Sequence, residues 1–321
     1  MKNLQKDVLL APLTTFKIGG RAQLLLTLSD ESDVLAAAAL ARESQLTPVI
    51  LGAGSNVLIP DAGLPLVWHS LPAPTFNYSA PAHRPDGKVS VTVWSGTTMA
   101  QLAWSAIKQG LSGLELFAAL PGTVGGGIWN NSHAGNQLVS DTLESVRFLD
   151  LTTGEVKDQA AQQLKFAYDS SWFHQHPCFI ISGTFALTPG NDPTALTQKV
   201  LDFLARKRQT QPLSTPSAGC FWKNPDNTDD LRQRFPQFAD KAQIPAGFLI
   251  EQCHQQLGKF AGENDRVIVS PLHHAFILNL GGGSSNEVLS LAAEIRTQVK
   301  KRFGVTLEPE VKILDQLPWK K

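Results

Sequence analysis

The sequence has few cysteines and no excess of charge of either sign. Cys178, Cys220 and Cys253 are the only cysteines among 321 residues, and no two of them form a CxxC motif. A disulfide framework or a zinc cluster is therefore not expected, and reduced thiols fit a cytoplasmic protein best. Lys and Arg together number 28, and Asp and Glu also number 28. This zero net charge gives no support to a nucleic acid or a membrane surface as a partner.

Long hydrophobic runs are also missing. No uninterrupted apolar stretch reaches the ~18 residues of a membrane span. Residues 1–7 are polar and contain no signal-peptide h-region, so we expect a cytoplasmic location. Hydrophobic residues make up 42% of the chain and charged residues 17%, a balance typical of well-packed globular proteins. The length allows two or three domains.

Hydrophobic periodicity and capping residues predict mixed helices and strands. Strands are predicted at 22–28, 48–51, 89–94 and 178–187, and a hairpin at 143–151 with 155–158. Helices are predicted from Ser29 to about Ser44, from Thr97 or Thr98 to near Gly110, from Asp192-Pro193 to 206–208, and from the Ser284/Glu287 capping box to Gly304. Residues 70–87, rich in Pro, Ser, Ala and His, predict a loop between two lobes.

A first glycine turn, Gly52–Asn56, follows a predicted strand. A strand followed by Gly-x-Gly can mark a dinucleotide fingerprint, but here the third glycine is missing and Pro60 breaks any helix. The pattern fits better a turn whose backbone N–H groups, with the side chains of Ser55 and Asn56, receive phosphate oxygens.

A second glycine segment covers residues 120–127. Pro121-Gly122 favours a turn, and the three glycines that follow remove side chains where something flat or anionic must come close. Asn130 and Asn131 carry amides that could bond a ring edge. One such loop would more often be structural, whereas two favour a bound dinucleotide. The candidate cofactor contacts are Gly52, Gly54, Ser55, Asn56, Pro121, Gly122, Thr123, Gly125, Gly126 and Asn131.

A third segment, Ser217–Pro225, has the sequence S-A-G-C-F-W-K-N-P. Cys220 follows two small residues, which let a ligand approach the backbone, and its thiol could be a proton donor or a nucleophile. Lys223 and Asn224 are candidate substrate contacts, since the lysine offers a charge for a phosphate or a carboxylate. The simpler alternative is a surface loop with one buried small cysteine.

Taken in order, six segments resemble the UDP-N-acetylenolpyruvoylglucosamine reductase family, in its shorter type. They are F-K-I-G-G-R-A (16–22), L-G-A-G-S-N-V-L (51–58), G-L-E-L-F-A-A-L-P-G-T-V-G-G-G (113–127), S-A-G-C-F-W-K-N-P (217–225), A-G-F-L-I-E-Q (246–252) and F-G-V-T-L-E-P-E-V (303–311). The resemblance implies an α+β protein with a two-lobe FAD-binding domain of the PCMH type and a C-terminal α+β substrate-binding domain. We expect lobe one at 1–69, lobe two at 70–205 and the substrate-binding domain at 206–321.

The resemblance also implies a reaction. NADPH would reduce bound FAD, which would pass hydride to UDP-N-acetylglucosamine-enolpyruvate and so form UDP-N-acetylmuramate, a peptidoglycan precursor. Cys220 stands at the position of the family's proton donor, and Glu310 at that of its catalytic glutamate. A thiol is more acidic than a hydroxyl, and a glutamic acid near the substrate carboxylate would need a pKa raised by burial. We expect a monomer whose partner is a small UDP-sugar.

One position departs from the family. Asp169 stands where the resemblance predicts an arginine that holds the substrate carboxylate, so the charge there is reversed. Lys165, Arg147 or the cluster 206–208 could supply the missing cation. Another two-lobe flavin oxidase with a different substrate, or a degenerate flavin-binding paralogue, are the alternative functions.

Three histidines, His133, His273 and His274, are chemically suggestive. A structural role is the favoured interpretation for each of them. Their scatter along the chain does not predict a metal site.

Overall fold

The computed structural model describes residues 3–72, 82–83, 86–257, 261–262 and 264–314. The strands are β1 Leu4–Leu9, β2 Arg21–Leu28, β3 Val49–Leu51, β4 Val57–Leu58, β5 Leu64–Ser70, β6 Ala82–His83, β7 Val89–Trp94, β8 His133–Ala134, β9 Gln137–Leu138, β10 Leu143–Asp150, β11 Val156–Ala160, β12 Cys178–Leu187, β13 Val267–Val269, β14 Ile277–Asn279 and β15 Lys312–Ile313. The α-helices are α1 Glu31–Ser44, α2 Met99–Lys108, α3 Val124–Asn130, α4 Pro193–Thr210, α5 Asp229–Arg234, α6 Ala246–Leu257 and α7 Ser285–Phe303. No helix in these ranges is long and apolar enough to cross a membrane.

The first lobe is a four-stranded sheet in the order β1-β2-β5-β3, with α1 packed against it. Strands β2, β5 and β3 run parallel, and β1 is antiparallel to β2. The predicted strand–helix–strand unit is confirmed, but the cap of α1 is Asp30 and not Ser29. The Asp30 carboxylate accepts the N–H of Asp33 at 2.9 Å, while the hydroxyl of Ser29 donates to the Asp33 carboxylate.

The second lobe is a five-stranded antiparallel sheet in the order β11-β10-β12-β7-β6. The predicted hairpin becomes β10 and β11, and α2 begins at the predicted cap Thr98 in a capping box with Gln101. Most of the predicted loop at 70–87 lies outside the described residues, but Ala82–His83 form a short strand against β7. Buried side chains of α2, α3 and the sheet form one core.

Helix α3 is the main departure from the predicted secondary structure. The segment 120–127 was expected to be a loop throughout, yet all three of its consecutive glycines lie in α3. Thr123 caps the helix by accepting the N–H of Gly126 at 3.3 Å. A Cβ on Gly125 would lie 2.9 Å from the Cβ of Ser95, so this glycine allows α3 to pack closely against the end of β7. Tertiary packing therefore overrides the low helix propensity of glycine.

The C-terminal unit combines the β13-β14 hairpin with α5, α6 and α7. Helix α7 has the predicted Ser284/Glu287 capping box and ends at Gly304, whose φ is +71°. The hydrophobic core of the C-terminal unit includes Phe16, Ile18 and Leu58 from the first lobe. The first lobe and the C-terminal unit are therefore joined by a shared hydrophobic core.

Helix α4 spans the boundary predicted between the second lobe and the C-terminal unit. Because α4 is continuous to Thr210, the predicted boundary at 205/206 falls inside a helix. Polar contacts also hold the first lobe to the C-terminal unit. Asp61 and Ser285 exchange two hydrogen bonds of 2.9 Å, and the amide of Asn279 donates to the carbonyl of Phe16 at 3.0 Å.

Candidate functional site

The two glycine segments predicted from the sequence meet in the structure. A Cβ on Gly52 would lie only 2.4 Å from Oγ1 of Thr123. The hydroxyl of Ser55 donates to the carbonyl of Pro121 at 3.1 Å. The first turn belongs to the first lobe and the second segment to the second lobe, so a single ligand can contact both.

Gly126 gives the clearest sign that this surface accepts a cofactor. It is exposed, and an added Cβ would meet nothing closer than Oγ1 of Thr123 at 3.5 Å. Packing therefore does not explain why this position lacks a side chain. A bare backbone here suits the close approach of an anionic or flat group, as the phosphates and the rings of FAD require.

Three other predicted cofactor contacts have structural roles of their own. Gly54 has a φ of +61°, and a Cβ there would lie 2.5 Å from the carbonyl oxygen of Leu13. Gly125 packs against Ser95. Asn131 is fully buried, and its amide donates to the carbonyl of Ala167 and accepts the N–H of Ser140. These contacts fix the local conformation at three positions, which stay predicted cofactor contacts.

Backbone pairing brings Cys220 beside Glu310. The N–H of Glu310 donates to the carbonyl of Phe221 at 2.8 Å, and the N–H of Lys223 donates to the carbonyl of Glu308 at 2.9 Å. The chain then continues into β15, which pairs with β4 directly after the first glycine turn. Glu310 is thus placed between the Cys220 segment and that turn.

Burial controls the protonation of both groups. Burial, followed by the charge of Glu310, raises the pKa of the Cys220 thiol to about 12. The thiol is therefore protonated at neutral pH, which suits a proton donor and not a thiolate nucleophile. Burial, followed by the charge of Asp169, raises the pKa of Glu310 to about 7.

The raised pKa of Glu310 should make stability depend on pH. Its ordinary value is 4.5, and burial raises it to about 7, so the unfolded chain ionises this group first as pH rises. The resulting loss in the free energy of unfolding between pH 4.5 and about 7 is at most about 3 kcal/mol. Glu310→Gln should remove this loss, so the variant gains stability over the wild type at about pH 8 relative to about pH 5. Urea unfolding of both proteins at these two pH values tests this, and a difference independent of pH would contradict it.

Asp169, the residue at the expected arginine position, is buried and paired. It lies at the tip of a tight turn between Ala167 and Ser170, with a φ of +48°, and only 3% of it is exposed. Its Oδ1 lies 3.6 Å from Nδ1 of His133 and 3.5 Å from Nδ2 of Asn130. The hydrogen bond and the charge of Asp169 raise the pKa of His133. The reversed charge is thus paired with a histidine for which a structural role had been favoured.

The other two histidines belong to the C-terminal unit. His274 Nε2 lies 3.1 Å from Nδ1 of His254, and the ring of His273 packs against Phe276. Neither contributes to the charge around Glu310 or Cys220.

Among the candidate replacement cations, Lys207 of the 206–208 cluster reaches the site. Arg147 is held by Glu31 at 2.9 Å and by Asp158, and Lys165 lines a small cavity with Trp172 and His176. The Nζ ammonium of Lys207 donates a hydrogen bond of 3.1 Å to the carbonyl of Ala119. Its charge acts on Cys220 and on His133.

The sequence analysis missed Lys312. Its charge and that of Lys223 both lower the pKa of Glu310, and burial lowers the pKa of Lys312 itself. Residues two apart in an extended chain lie on the same side, so the spacing of Glu310 and Lys312 was a usable signal. Lys223 Nζ lies 4.0 Å from Glu308, and Asn224 Oδ1 accepts the N–H of Ala246 at the start of α6.

Two lobes that meet at glycine segments, beside a half-buried thiol and a half-buried carboxyl, are the arrangement expected of a flavin-dependent oxidoreductase. Residues 22–159 match the FAD binding domain family, and residues 211–314 match the family described as UDP-N-acetylenolpyruvoylglucosamine reductase, C-terminal domain. The chain belongs to the UDP-N-acetylenolpyruvoylglucosamine reductase family.

Individual relatives support this assignment over nearly the whole chain. The UDP-N-acetylenolpyruvoylglucosamine reductase of Synechococcus sp. (strain JA-3-3Ab) is 32% identical, over 97% of this chain and 91% of the relative. The protein of that name from Synechococcus elongatus is 34% identical, over 98% of this chain and 96% of the relative. The crystal structure of UDP-N-acetylenolpyruvylglucosamine reductase from Thermus caldophilus matches with a TM-score of 0.74 and 26% identity, covering 97% of this chain and 99% of that chain.

Proposed function

We propose that this protein uses FAD and NADPH to reduce UDP-N-acetylglucosamine-enolpyruvate to UDP-N-acetylmuramate in peptidoglycan precursor synthesis. The observation that carries the proposal is the pairing of the Glu310 N–H with the carbonyl of Phe221. This bond joins the segment of Cys220 to that of Glu310, and the charge of Glu310 acts on the Cys220 thiol. Family membership supplies the substrate and the two cofactors.

Bound FAD supplies the hydride carrier between NADPH and the enolpyruvyl group. The chain itself must stabilise negative charge on the substrate carboxylate and deliver a proton to the adjacent carbon. Cys220 is the proton donor, since its thiol stays protonated at neutral pH. Glu310 in its acid form hydrogen-bonds to the carboxylate as charge builds there.

Three lysines make the surroundings of this pair positive. Lys223 and Lys312 act on Glu310, and Lys207 acts on Cys220. We assign Lys223 to the substrate, as predicted from the sequence, because its ammonium is half-exposed beside Glu308. Asn224 supports it by holding the start of α6.

Anaerobic mixing tests the proposed function. NADPH should bleach the flavin absorbance of the protein loaded with FAD, and the enolpyruvyl substrate should then restore it with formation of UDP-N-acetylmuramate. Flavin that NADPH fails to bleach would instead indicate a degenerate paralogue. Flavin that is bleached but not restored by this substrate would indicate an oxidoreductase with a different substrate.

Gly126→Ala should separate cofactor binding from folding. The added methyl group meets only an ordinary contact at Thr123 and replaces glycine in a helix. The free energy of unfolding of the protein without FAD should therefore stay equal or rise by about 0.5–1 kcal/mol. The affinity for FAD should fall about 10-fold or more, because the methyl group occupies the ligand's side of the backbone.

Thermal unfolding without FAD and fluorescence titration with FAD measure the two effects of Gly126→Ala. Unchanged FAD affinity in a folded variant would remove Gly126 from the cofactor site.

The domain boundaries, the oligomeric state and the cellular location of the protein are also proposals. We propose two FAD-binding lobes and a substrate-binding domain, as expected from the sequence, but with the last boundary moved from 205/206 to the end of α4, which spans that position. We also propose a monomer in the cytoplasm that binds neither nucleic acid nor membranes. Light scattering during size-exclusion chromatography tests the monomer.

A further inference from the structure

We propose that His133, held by Asp169, is the cation that binds the substrate carboxylate in this protein. This inference rests on the proposed function and names the residue that replaces the family's arginine. Asp169 occupies the arginine position, but its carboxylate faces Nδ1 of His133 at 3.6 Å. The positive charge expected at position 169 is thus supplied by His133, the first residue of the β8-β9 hairpin.

Exposure assigns different roles to the two side chains. The side chain of Asp169 is 2% exposed and that of His133 is 33% exposed. The carboxylate therefore cannot itself reach a ligand, whereas the imidazole extends from the buried carboxylate toward solvent. Asp169 acts as a positioning residue. A buried carboxylate beside a histidine favours the imidazolium and orients its ring.

Charged residues of the proposed active site act on His133. Asp169 and Glu310 raise its pKa, while burial and the charge of Lys207 lower it, and the first effect is the largest. The ring of Tyr168 packs at 4.9 Å between centroids. Since Nδ1 faces Asp169, the second ring nitrogen, Nε2, is the donor left for a ligand.

Two buried polar atoms near Asp169 and His133 lack a partner among the described residues. Oδ2 of Asp169 and Oδ1 of Asn130 are buried and have no hydrogen-bond partner within the described part of the chain. Such atoms are costly unless something satisfies them. A buried water that donates to these atoms, behind a substrate carboxylate held by His133, would satisfy them.

The test compares substrate affinity with and without the substrate carboxylate. Binding is followed by the change in flavin absorbance, without NADPH, using the enolpyruvyl substrate and UDP-N-acetylglucosamine, which lacks the carboxylate. His133→Asn should weaken binding of the enolpyruvyl substrate about 10- to 100-fold, the value of one hydrogen bond to a charged group. Its affinity for UDP-N-acetylglucosamine should not change. His274→Asn is the matched control and should bind both ligands as the wild type does.

The variant His133→Lys tests whether residue 133 binds the substrate carboxylate through its charge rather than through its shape. Wild-type affinity for the enolpyruvyl substrate should fall as pH rises through the pKa of His133, whereas the lysine variant should keep its affinity. Asp169→Asn should move this loss of affinity to lower pH, since it removes the group that stabilises the imidazolium. The affinities with and without each substitution are measured in proteins that also carry Glu310→Gln, so that Glu310 does not contribute to the pH dependence. The imidazole proton resonances of His133 should show the same shift in the protein without ligands.

The outcomes separate the inference from the proposed function. A wild-type protein that binds no enolpyruvyl substrate would overturn the proposed function and the inference with it. A folded His133→Asn protein that binds this substrate as tightly as the wild type would overturn the inference alone. Equal weakening of both ligands would also overturn it, because His133 would then only support the fold.

Discussion

Replacing Cys220 by alanine should reduce the rate of enolpyruvyl reduction about 10²- to 10⁴-fold, the range typical of a lost proton donor. The rate at which NADPH bleaches the flavin should not change, because no proton from Cys220 is needed in that half-reaction. Burial keeps the thiol protonated by raising its pKa to about 12, so the wild type holds the proton ready at neutral pH. Stopped-flow absorbance measures the two half-reactions separately.

Two controls define what the Cys220→Ala result means. Cys220→Ser keeps a hydroxyl as a proton donor and should retain much of the activity. Cys253→Ala removes a thiol from the core of the C-terminal unit and should leave both half-reactions intact in the folded fraction. An equal decrease in the rates of both half-reactions in Cys220→Ala would contradict the role proposed for Cys220.

Glu310→Gln should slow the same half-reaction about 10²- to 10⁴-fold, since an amide cannot lend an acidic proton to the developing charge. The wild-type rate should fall as pH rises through about 7, the pKa of Glu310, because only the acid form acts. This decline should be absent from the residual rate of the variant. A pH profile of the half-reaction with reduced enzyme tests both statements, and an alkaline decline unchanged in Glu310→Gln would assign the titration to another group.

Most of the secondary structure could be predicted from the sequence. Strand β12 and the β10-β11 hairpin follow from continuous or alternating apolar residues between turn signals. Helix α7 follows from its Ser284/Glu287 capping box and from the glycine after its last turn. These features depend on interactions between residues close in the chain, which a linear pattern contains.

Helix α3 could not be predicted in this way. Three consecutive glycines have low helix propensity and indicate a loop. The structure forms a helix because Thr123 caps it and because Gly125 can pack against Ser95, which follows β7. Only the folded chain supplies that contact.

The candidate site, like the fold, could be predicted from the sequence only in part. The residue types, the two glycine segments and the resemblance together identified Cys220, Glu310 and the anomaly at Asp169 from the sequence. The sequence did not determine which charge compensates that anomaly. In the structure, Arg147 is paired with Glu31, and Lys165 lines a separate small cavity. Lys312 was missed although it lies two residues after Glu310.

The sequence by itself determined the family, the order of the elements and the chemistry of the donor and acid groups, because these depend on residue identity and local spacing. Only the tertiary structure decided their protonation and their partners. Cys220 holds its proton and Glu310 has a pKa of about 7 because the fold buries them together. Asp169 is paired with His133 because a turn and a hairpin from different parts of the chain meet there. Distance and burial set the electrostatic free energy, and neither exists before the chain has folded.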